Sequence, residues 1–332
     1  MKIIVLKEED IKQIFTMKDA IKASKDALEL YSKGNSDIPL RTNIDIEKES
    51  GQSLYMPGYV SGVDALGVKI VSVYTDNVKK GLDSISSMML LKNHETGEVC
   101  SIMDGTYLTK LRTGAVAGAA TDILSRKDSS IFALFGTGGQ AKAQLEAILN
   151  VRDIKDVRVY GRNKEKALDF VKEIKEEFYD KFKFKIRVAE TPEEAIDNAD
   201  IITSVTTATK PVFDGKLVKT GVHINGMGSY TPKMQEIDSY ILSEADKIFL
   251  DTSHGVLNES GDFIIPINEN KFSQSDVTGE LGEVIMGKLP SRENDKEITF
   301  FKSVGSAVLD LVTAKRIYEK AIEMGIGQII EF

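Results

Sequence analysis

Six residues have the glycine spacing of dinucleotide-binding turns, G-x-G-x-x-A: Gly136, Thr137, Gly138, Gly139, Gln140 and Ala141. They follow an apolar run, Ile131–Phe135, and open a helical pattern. In this context Gly136 permits a tight turn, Gly138 lets the backbone approach a pyrophosphate, and Ala141 lets the helix pack closely on the strand. The start of the helix offers N–H groups and partial positive charge to phosphates. We therefore predict a dinucleotide site, with a plain packing turn as the alternative.

The end of the following strand indicates which dinucleotide is bound. An NAD site usually has an acidic residue about 20 positions after the turn, which bonds to the ribose 2′-hydroxyl. Here Gly161 stands where the acid is expected, and Arg162 follows it. The missing carboxylate removes repulsion of a 2′-phosphate, and Arg162 can bind that phosphate by charge-assisted hydrogen bonds. We predict NADP(H) rather than NAD(H), with Asn163 and Lys166 beside it, although Lys166 also fits the solvated start of a helix.

Three cations outside this segment could bind an anion: Arg41, Lys69 and Arg112. Lys69 lies in a strongly apolar strand, where a cation is costly unless it is paired or bound to a ligand. Arg112 stands among small residues where a close-packed helix, Thr109–Leu124, is expected to begin. From the residues alone, each cation fits a structural salt bridge as well as a ligand contact.

Two different patterns must position these residues. Residues 1–124 combine an amphipathic helix, Thr16–Lys33, with strands and a hairpin turn at Glu95–Glu98. From about Lys127, apolar strands alternate with helices, which predicts a parallel sheet with right-handed crossovers. The fold class is therefore α/β: a Rossmann-type parallel-sheet domain, residues 125–303, inserted into a discontinuous α+β domain, residues 1–124 plus 304–332.

Composition narrows the possible classes of protein. The chain has 332 residues, 42% hydrophobic and 28% charged, which is typical of a globular protein. Its formal charge of -8 argues against nucleic acid or an anionic membrane as the main partner. The single cysteine, Cys100, allows no internal disulfide and fits a reducing compartment. The apolar N-terminal stretch is too short for a signal peptide, and no run is long enough for a membrane helix. We expect a cytoplasmic protein.

Several segments together resemble the ornithine cyclodeaminase/mu-crystallin family across nearly the whole chain. They are Met56-Pro57, Gly67–Lys69, Leu111–Ala115, Gly136–Ala141, Gly226–Ser229 with Pro232 and Glu236–Asp238, Leu281–Val284, and Gly305 with Ala307 and Asp310. The family contains cyclodeaminases, alanine dehydrogenases, cyclic imine reductases and crystallin-like binding proteins. The resemblance implies a homodimer whose discontinuous domain is the substrate-binding and dimerisation domain, and a substrate carboxylate held by Arg41, Lys69 and Arg112. We also expect cofactor contacts from Thr113, Thr206, Gly228 and Gly305.

Two departures from the cyclodeaminase pattern favour a reductase. Ornithine cyclodeaminases carry an acid two residues before the Met-Pro pair, where this chain has Leu54. They also carry an Asp in a Gly-x-Asp-x-Pro turn, where this chain has Tyr230. Both carboxylates that would handle a diamino acid are thus missing. The resemblance therefore implies an NADPH-dependent reductase of a small cyclic imine carboxylate. Its alternatives are a cyclodeaminating lyase, an alanine-type dehydrogenase and a cofactor-binding protein without turnover.

The predicted reaction needs a proton donor, because an imine must be protonated to accept hydride well. Lys69, Tyr230 or water could donate it. Asp310, near the start of the last helix, is a further candidate, and it also fits an acid favoured by the helix dipole. The catalytic set is thus Lys69, Arg112, Tyr230 and Asp310. The histidines have no metal-ligand spacing, so we expect no metal site.

Overall fold

The computed structural model describes residues 1–331, apart from the side chain of Val78. The strands are β1 (Lys2–Leu6), β2 (Ser36–Asp37), β3 (Thr42–Ile46), β4 (Gly51–Val60), β5 (Ala65–Tyr74), β6 (Ile85–Lys92), β7 (Val99–Asp104), β8 (Ile131–Phe135), β9 (Asp156–Tyr160), β10 (Lys185–Val188), β11 (Ile201–Ser204), β12 (His223–Gly226), β13 (Lys247–Leu250), β14 (Gly279–Glu280), β15 (Thr299–Lys302) and β16 (Gln328–Glu331). The α-helices are α1 (Glu8–Ile14), α2 (Met17–Ser32), α3 (Gly105–Leu124), α4 (Ala141–Val151), α5 (Lys164–Phe182), α6 (Pro192–Ile196), α7 (Ser239–Glu244), α8 (Ser253–Glu259), α9 (Gly261–Asn268), α10 (Leu281–Ile285) and α11 (Ala307–Met324).

The chain divides into two compact units. The first unit comprises Met1–Arg112 and the described residues from Ser306 onward, and the second comprises Thr113–Gly305. The expected division, 125–303 within 1–124 and 304–332, places the second boundary at 303/304 rather than 305/306 and the first boundary at 124/125 rather than 112/113. The boundary falls inside α3 because the second half of that helix packs on the parallel-sheet unit. There Gly114 lies so close to Ala143 that an added Cβ would be 2.3 Å from its carbonyl oxygen.

The first unit is a mainly antiparallel sheet with helices against one face. Its strand order is β16-β1-β7-β6-β5-β4-β2, with β3 on β4, and only β1 and β7 pair in parallel. Along β5, Gly67, Lys69 and Val71 are buried while Val68 and Ile70 are half-buried. Leu311 of α11 lies against Gly67. The side chain of Lys69 therefore enters the layer between this sheet and α11.

Helix α2 begins and ends as its sequence predicts. Thr16 is its N-cap and accepts a hydrogen bond from the backbone N–H of Asp19. Asp19 in turn accepts one from the backbone N–H of Thr16, which completes a capping box. Gly34, just after the helix, has a φ of 76°, which a glycine adopts without steric cost.

Helix α3 corrects the prediction for Arg112. The helix begins at Gly105 rather than Thr109, because Asp104 accepts a hydrogen bond from the backbone N–H of Tyr107 and so caps an earlier start. Arg112 therefore lies well inside the helix and not at its beginning.

The second unit is a parallel sheet of the predicted Rossmann type. Its strand order is β10-β9-β8-β11-β12-β15-β13-β14, and all neighbours run parallel. Strand β8 is buried on both faces: Phe132 and Leu134 join one hydrophobic cluster, and Ala133 and Phe135 join the other. The strand order reverses between β8 and β11, and in open α/β sheets such a reversal marks the ligand-binding crevice at the carboxyl ends of the strands.

Over residues 1–331, no helix combines the length and the hydrophobicity that a membrane crossing requires.

Candidate active site

Two buried cations converge on one buried carboxylate in the first unit. Lys69 Nζ lies 2.8 Å from each oxygen of Asp310. Arg112 Nε lies 2.8 Å from Asp310 Oδ1. The side chain of Lys69 is 1% exposed, that of Asp310 1% and that of Arg112 7%. The structure thus brings together three of the four predicted catalytic residues. Asp310 is therefore an ion-pair partner of both cations, in addition to being an acid near the start of a helix.

The surroundings of Lys69 make its charge easy to lose. Its neighbours across the sheet are Met56 on β4 and Met89 on β6, which offer no hydrogen-bonding oxygen. Burial lowers the pKa of Lys69 to about 7, helped by the positive charges of Arg112 and Arg41 and opposed by Asp310. Half-buried Arg41, which precedes β3, thus belongs to the electrostatic environment of Lys69. Lys69 and Arg112 share the Asp310 carboxylate, so a bound anion would be stabilised here.

Leu54 occupies a buried position on β4 close to the Lys69 cluster. Leu54 pairs with Val71 in the sheet and is buried, two positions along β4 from Met56. It lies on the same face as Lys69, because alternate residues of a strand share a face. An apolar side chain therefore lines the Lys69 face of the sheet at this position.

The glycine turn of the second unit has the shape that a dinucleotide requires. Gly136 has a φ of 103°, and a Cβ there would lie 2.7 Å from the carbonyl oxygen of Val205. A Cβ on Gly138 would meet nothing within 4 Å, so the fold itself does not demand glycine there. Space at Gly138 fits the close approach of a pyrophosphate. Gln140 gives α4 no side-chain cap, whereas Asn163 caps α5, so the start of α4 suits an anion.

The carboxyl end of β9 lies beside this turn. The backbone N–H of Gly136 donates to the carbonyl oxygen of Tyr160, and a Cβ on Gly161 would lie 3.4 Å from Thr137 Cγ2. Arg162 is exposed, and within residues 1–331 its guanidinium has no ion-pair or hydrogen-bond partner. Lys164 instead forms a surface ion pair with Glu190.

The other predicted cofactor residues of the second unit have distinct places. Asn163 accepts a hydrogen bond from the backbone N–H of Lys166, so both help to begin α5. Thr113 accepts a hydrogen bond from Gln144 Nε2 through its carbonyl oxygen, and within residues 1–331 its buried hydroxyl oxygen has no partner. Gly305 follows β15 and donates its backbone N–H to Asp251.

Thr206 follows β11 and Gly228 follows β12. Glu236, a residue to which the sequence assigned no role, hydrogen-bonds to both of them. This fully buried carboxylate accepts hydrogen bonds from Ser204 Oγ, from the backbone N–H and hydroxyl of Thr206, and from the backbone N–H of Gly228. Burial raises the pKa of Glu236.

The sequence contains one signal for the buried groups around Glu236, a lysine in an apolar strand. Lys302 follows two phenylalanines in an apolar strand, the same pattern that singled out Lys69. In the structure it is fully buried and pairs with Asp262, Nζ to Oδ2 2.7 Å.

Tyr230 and His223 have mainly structural surroundings. Tyr230 lies in the second unit and packs against its hydrophobic core. His223 is fully buried, with ring nitrogens 2.9 Å from Thr299 Oγ1 and 3.1 Å from Asn225 Oδ1. Burial lowers the pKa of His223 to about 3, so it stays neutral. Among the residues that the structure describes, no group of three or more His, Cys, Asp or Glu side chains could hold a metal ion.

Comparisons with known proteins agree over the whole chain. The family model described as ornithine cyclodeaminase/mu-crystallin family matches residues 1–325. A delta(1)-pyrroline-2-carboxylate reductase of Bacillus cereus is 41% identical over 329 residues, 99% of this chain and 100% of the relative.

Solved structures give the same picture. The Thermococcus litoralis delta(1)-pyrroline-2-carboxylate reductase, in complex with NADH and L-proline, is similar with a TM-score of 0.93 and 41% identity, covering 98% of this chain and 99% of that one. An archaeal alanine dehydrogenase dimer with bound NAD has a TM-score of 0.91 and 35% identity, with both chains fully covered.

Proposed function

The chain belongs to the ornithine cyclodeaminase/mu-crystallin family, and we propose that it reduces a small cyclic imine carboxylate, of the pyrroline- or piperideine-2-carboxylate type, to the cyclic amino acid. It is an oxidoreductase acting on carbon–nitrogen double bonds. The observation that carries the choice of substrate is the convergence of Lys69 and Arg112 on Asp310 in a buried layer. This cluster has more positive than negative charge, and a substrate carboxylate would supply the missing anion.

The same cluster provides a proton. The pKa of Lys69 is about 7, so near neutral pH the free protein holds this ammonium in only about half of its molecules. A nearby negative charge favours the protonated form of a lysine. Binding of the substrate carboxylate therefore charges Lys69, which then donates its proton to the ring nitrogen. Arg112 stays charged and holds the carboxylate by charge-assisted hydrogen bonds.

A nicotinamide dinucleotide bound at the second unit would supply the hydride that reduces the imine carbon. Gly136 and Gly138 would hold its pyrophosphate at the start of α4, and Thr113, Thr206, Gly228 and Gly305 would contact the rest of it. The carbon gains the hydride and the nitrogen gains the Lys69 proton, so the C=N bond becomes a CH–NH bond. Lys69 is then recharged from solvent.

The proposed cofactor is NADP(H). Its support is the exposed guanidinium of Arg162, which has no partner among residues 1–331, next to Gly161, which stands at the position where an acid would bond a ribose 2′-hydroxyl. A charge-assisted hydrogen bond contributes about 1.5–3 kcal/mol, or roughly ten- to a hundredfold in affinity. NADPH should therefore bind more tightly than NADH, and Gly161→Asp with Arg162→Ala should reverse the order. Equal dissociation constants in the unmodified protein would exclude this proposal.

A homodimer is proposed through the first unit. The sheet face opposite α11 carries half-buried Val68, Ile70 and Leu90, and Met88 on the same face is 50% exposed. Exposed apolar patches of this kind mark interaction surfaces. Sedimentation of the unmodified protein and of Met88→Lys tests the proposal: a dimer that the substitution weakens supports it, and a monomeric unmodified protein excludes it.

An amino-acid dehydrogenase is the second candidate, because the archaeal alanine dehydrogenase is also similar over the full chain. Oxidation of NADPH and of NADH should be screened with pyrroline-2-carboxylate, piperideine-2-carboxylate, pyruvate plus ammonia, and ornithine. Rapid oxidation with a cyclic imine supports the proposal. Oxidation that needs both pyruvate and ammonia identifies a dehydrogenase, and ammonia release from ornithine without net oxidation identifies a lyase.

A further inference from the structure

A single buried carboxylate joins two strand ends at the carboxyl edge of the parallel sheet. Glu236 Oε2 accepts hydrogen bonds from Ser204 Oγ at 2.7 Å, from the Thr206 backbone N–H at 2.8 Å and from Thr206 Oγ1 at 3.0 Å. Its other oxygen accepts the backbone N–H of Gly228. Ser204 and Thr206 lie at the end of β11, and Gly228 lies just beyond β12. Each carboxylate oxygen therefore holds the backbone of a different loop.

The segment that carries Glu236 is itself fixed by a buried ion pair. Asp262 Oδ1 accepts the backbone N–H of Glu236 at 2.7 Å and that of Ile237 at 3.0 Å. Asp262 Oδ2 pairs with Lys302 Nζ, which comes from the end of β15. Asp262 and Lys302 have no exposed surface. The position of Glu236 is thus set by a third strand end.

The two loops have no spare space. A Cβ on Gly228 would lie 2.1 Å from the carbonyl oxygen of Thr206 and 2.5 Å from Glu236 Oε2. A Cβ on Gly136 would lie 3.3 Å from Thr206 Cγ2. Thr206 therefore sits between the Glu236 carboxylate and the glycine turn, so a displacement of Thr206 reaches the turn directly.

We propose that Glu236 is a positioning residue for the dinucleotide: it holds the loops after β11 and β12 in the arrangement that the cofactor requires, without touching the cofactor. The inference rests on the proposed function only in that the second unit takes a dinucleotide. The geometry demands a carboxylate specifically, because both oxygens receive backbone N–H donors. A glutamine amide would turn its NH₂ group toward one of them and release that loop.

The test measures cofactor binding directly, without any imine. Glu236→Gln should raise the dissociation constants of NADPH and NADH by roughly ten- to a hundredfold, read from the fluorescence of the bound nicotinamide. The matched control is Asp200→Asn. Asp200 is also a buried carboxylate, and it accepts backbone N–H bonds from Ser130 and Ile131 at the opposite, amino edge of the sheet. Both variants should lower the melting temperature, and only Glu236→Gln should weaken cofactor binding.

Kinetics give a second readout. At saturating cofactor, Glu236→Gln should keep kcat within about threefold of the unmodified enzyme while KM for the cofactor rises, because the displaced loops change binding and not the chemistry. Unchanged cofactor affinity in Glu236→Gln, or an equal loss in Asp200→Asn, would overturn the inference. If Glu236→Gln does not fold, Glu236→Asp decides: the shorter side chain keeps the negative charge and cannot reach the backbone N–H groups of Thr206 and Gly228 together, so weakened cofactor binding supports the inference and unchanged binding overturns it. A failure of imine reduction with cofactor still bound would affect the proposed function alone.

Discussion

Among residues 1–331, Asp310 carries the only negative charge in contact with Lys69, and its replacement by asparagine removes that charge and keeps the shape of the side chain. Lys69 Nζ lies 2.8 Å from both Asp310 oxygens. At that distance and an effective dielectric constant of about 20, the attraction is ~6 kcal/mol. Desolvation offsets part of this energy, and the loss of one partner from a buried ion pair costs about 3–5 kcal/mol. A loss of ~3 kcal/mol would lower the pKa of Lys69 from about 7 toward ~5.

The consequence for the reaction follows from the proposed role of Lys69. Imine reduction needs protonated Lys69, so kcat/KM should fall as pH rises through its pKa. In the unmodified enzyme this decline begins near pH 7. In Asp310→Asn the protonated fraction at pH 7 should drop from about one half to about one hundredth, a loss of roughly fiftyfold in kcat/KM. Assay at pH 5 should restore much of the rate, which a misfolded enzyme would not show.

The assay is kcat/KM for pyrroline-2-carboxylate from pH 5 to 9 at saturating cofactor. Asp200→Asn serves as the control, because Asp200 is also buried and ion-paired, with Arg126 and Lys219. It should lose stability and keep the position of the alkaline decline. If the decline of Asp310→Asn coincides with that of the unmodified enzyme, Lys69 is not the group whose protonation limits the reaction.

Three further outcomes are expected. Arg112→Met should lower kcat/KM for the imine by roughly thirty- to several-thousandfold, with NADPH affinity and melting temperature measured alongside to exclude unfolding; near-normal reduction by the folded variant would contradict the carboxylate clamp. Ornithine should yield neither proline nor ammonia at ~1 per second or faster, because Leu54 and Tyr230 replace both cyclodeaminase acids; product at that rate, detected by amino-acid analysis, would place the chain in the other subgroup. Gly136→Ala should lower both melting temperature and cofactor affinity because of its φ of 103°, whereas Gly138→Ala should lower cofactor affinity alone; a Gly138→Ala variant that binds like the unmodified protein would show that no pyrophosphate approaches there.

The parallel-sheet fold and its glycine turn could be predicted because their signals are local. Strand β8, the turn at Gly136 and helix α4 are contiguous, and the run Ile131–Phe135 is apolar because both faces are buried. The hairpin between β6 and β7 is equally local, because its turn residues, Glu95–Glu98, lie directly between the two strands. Strand β15 was missed: it lies between β12 and β13, out of chain order, and only tertiary pairing reveals its place.

The burial of the site's lysine could be predicted from the sequence, but its ion-pair partner could not. The burial of Lys69 could be predicted from the apolar strand around it. Its partner could not, because Asp310 is 241 residues away and nothing local links them. The role of Glu236 could not be predicted for the same reason. Its hydrogen-bond donors come from the ends of two other strands, β11 and β12, which are brought together only in the folded sheet.

The central claim, reduction of a cyclic imine carboxylate, is tested most directly by the stoichiometry of one reaction. Purified protein is incubated with pyrroline-2-carboxylate and NADPH in the absence of ammonia, and proline and oxidised cofactor are quantified together. We expect one proline to form for each NADPH oxidised, and no reaction in a Lys69→Met variant that still folds and binds NADPH. No cofactor oxidation with cyclic imines, together with ammonia-dependent oxidation when pyruvate is supplied, would contradict it.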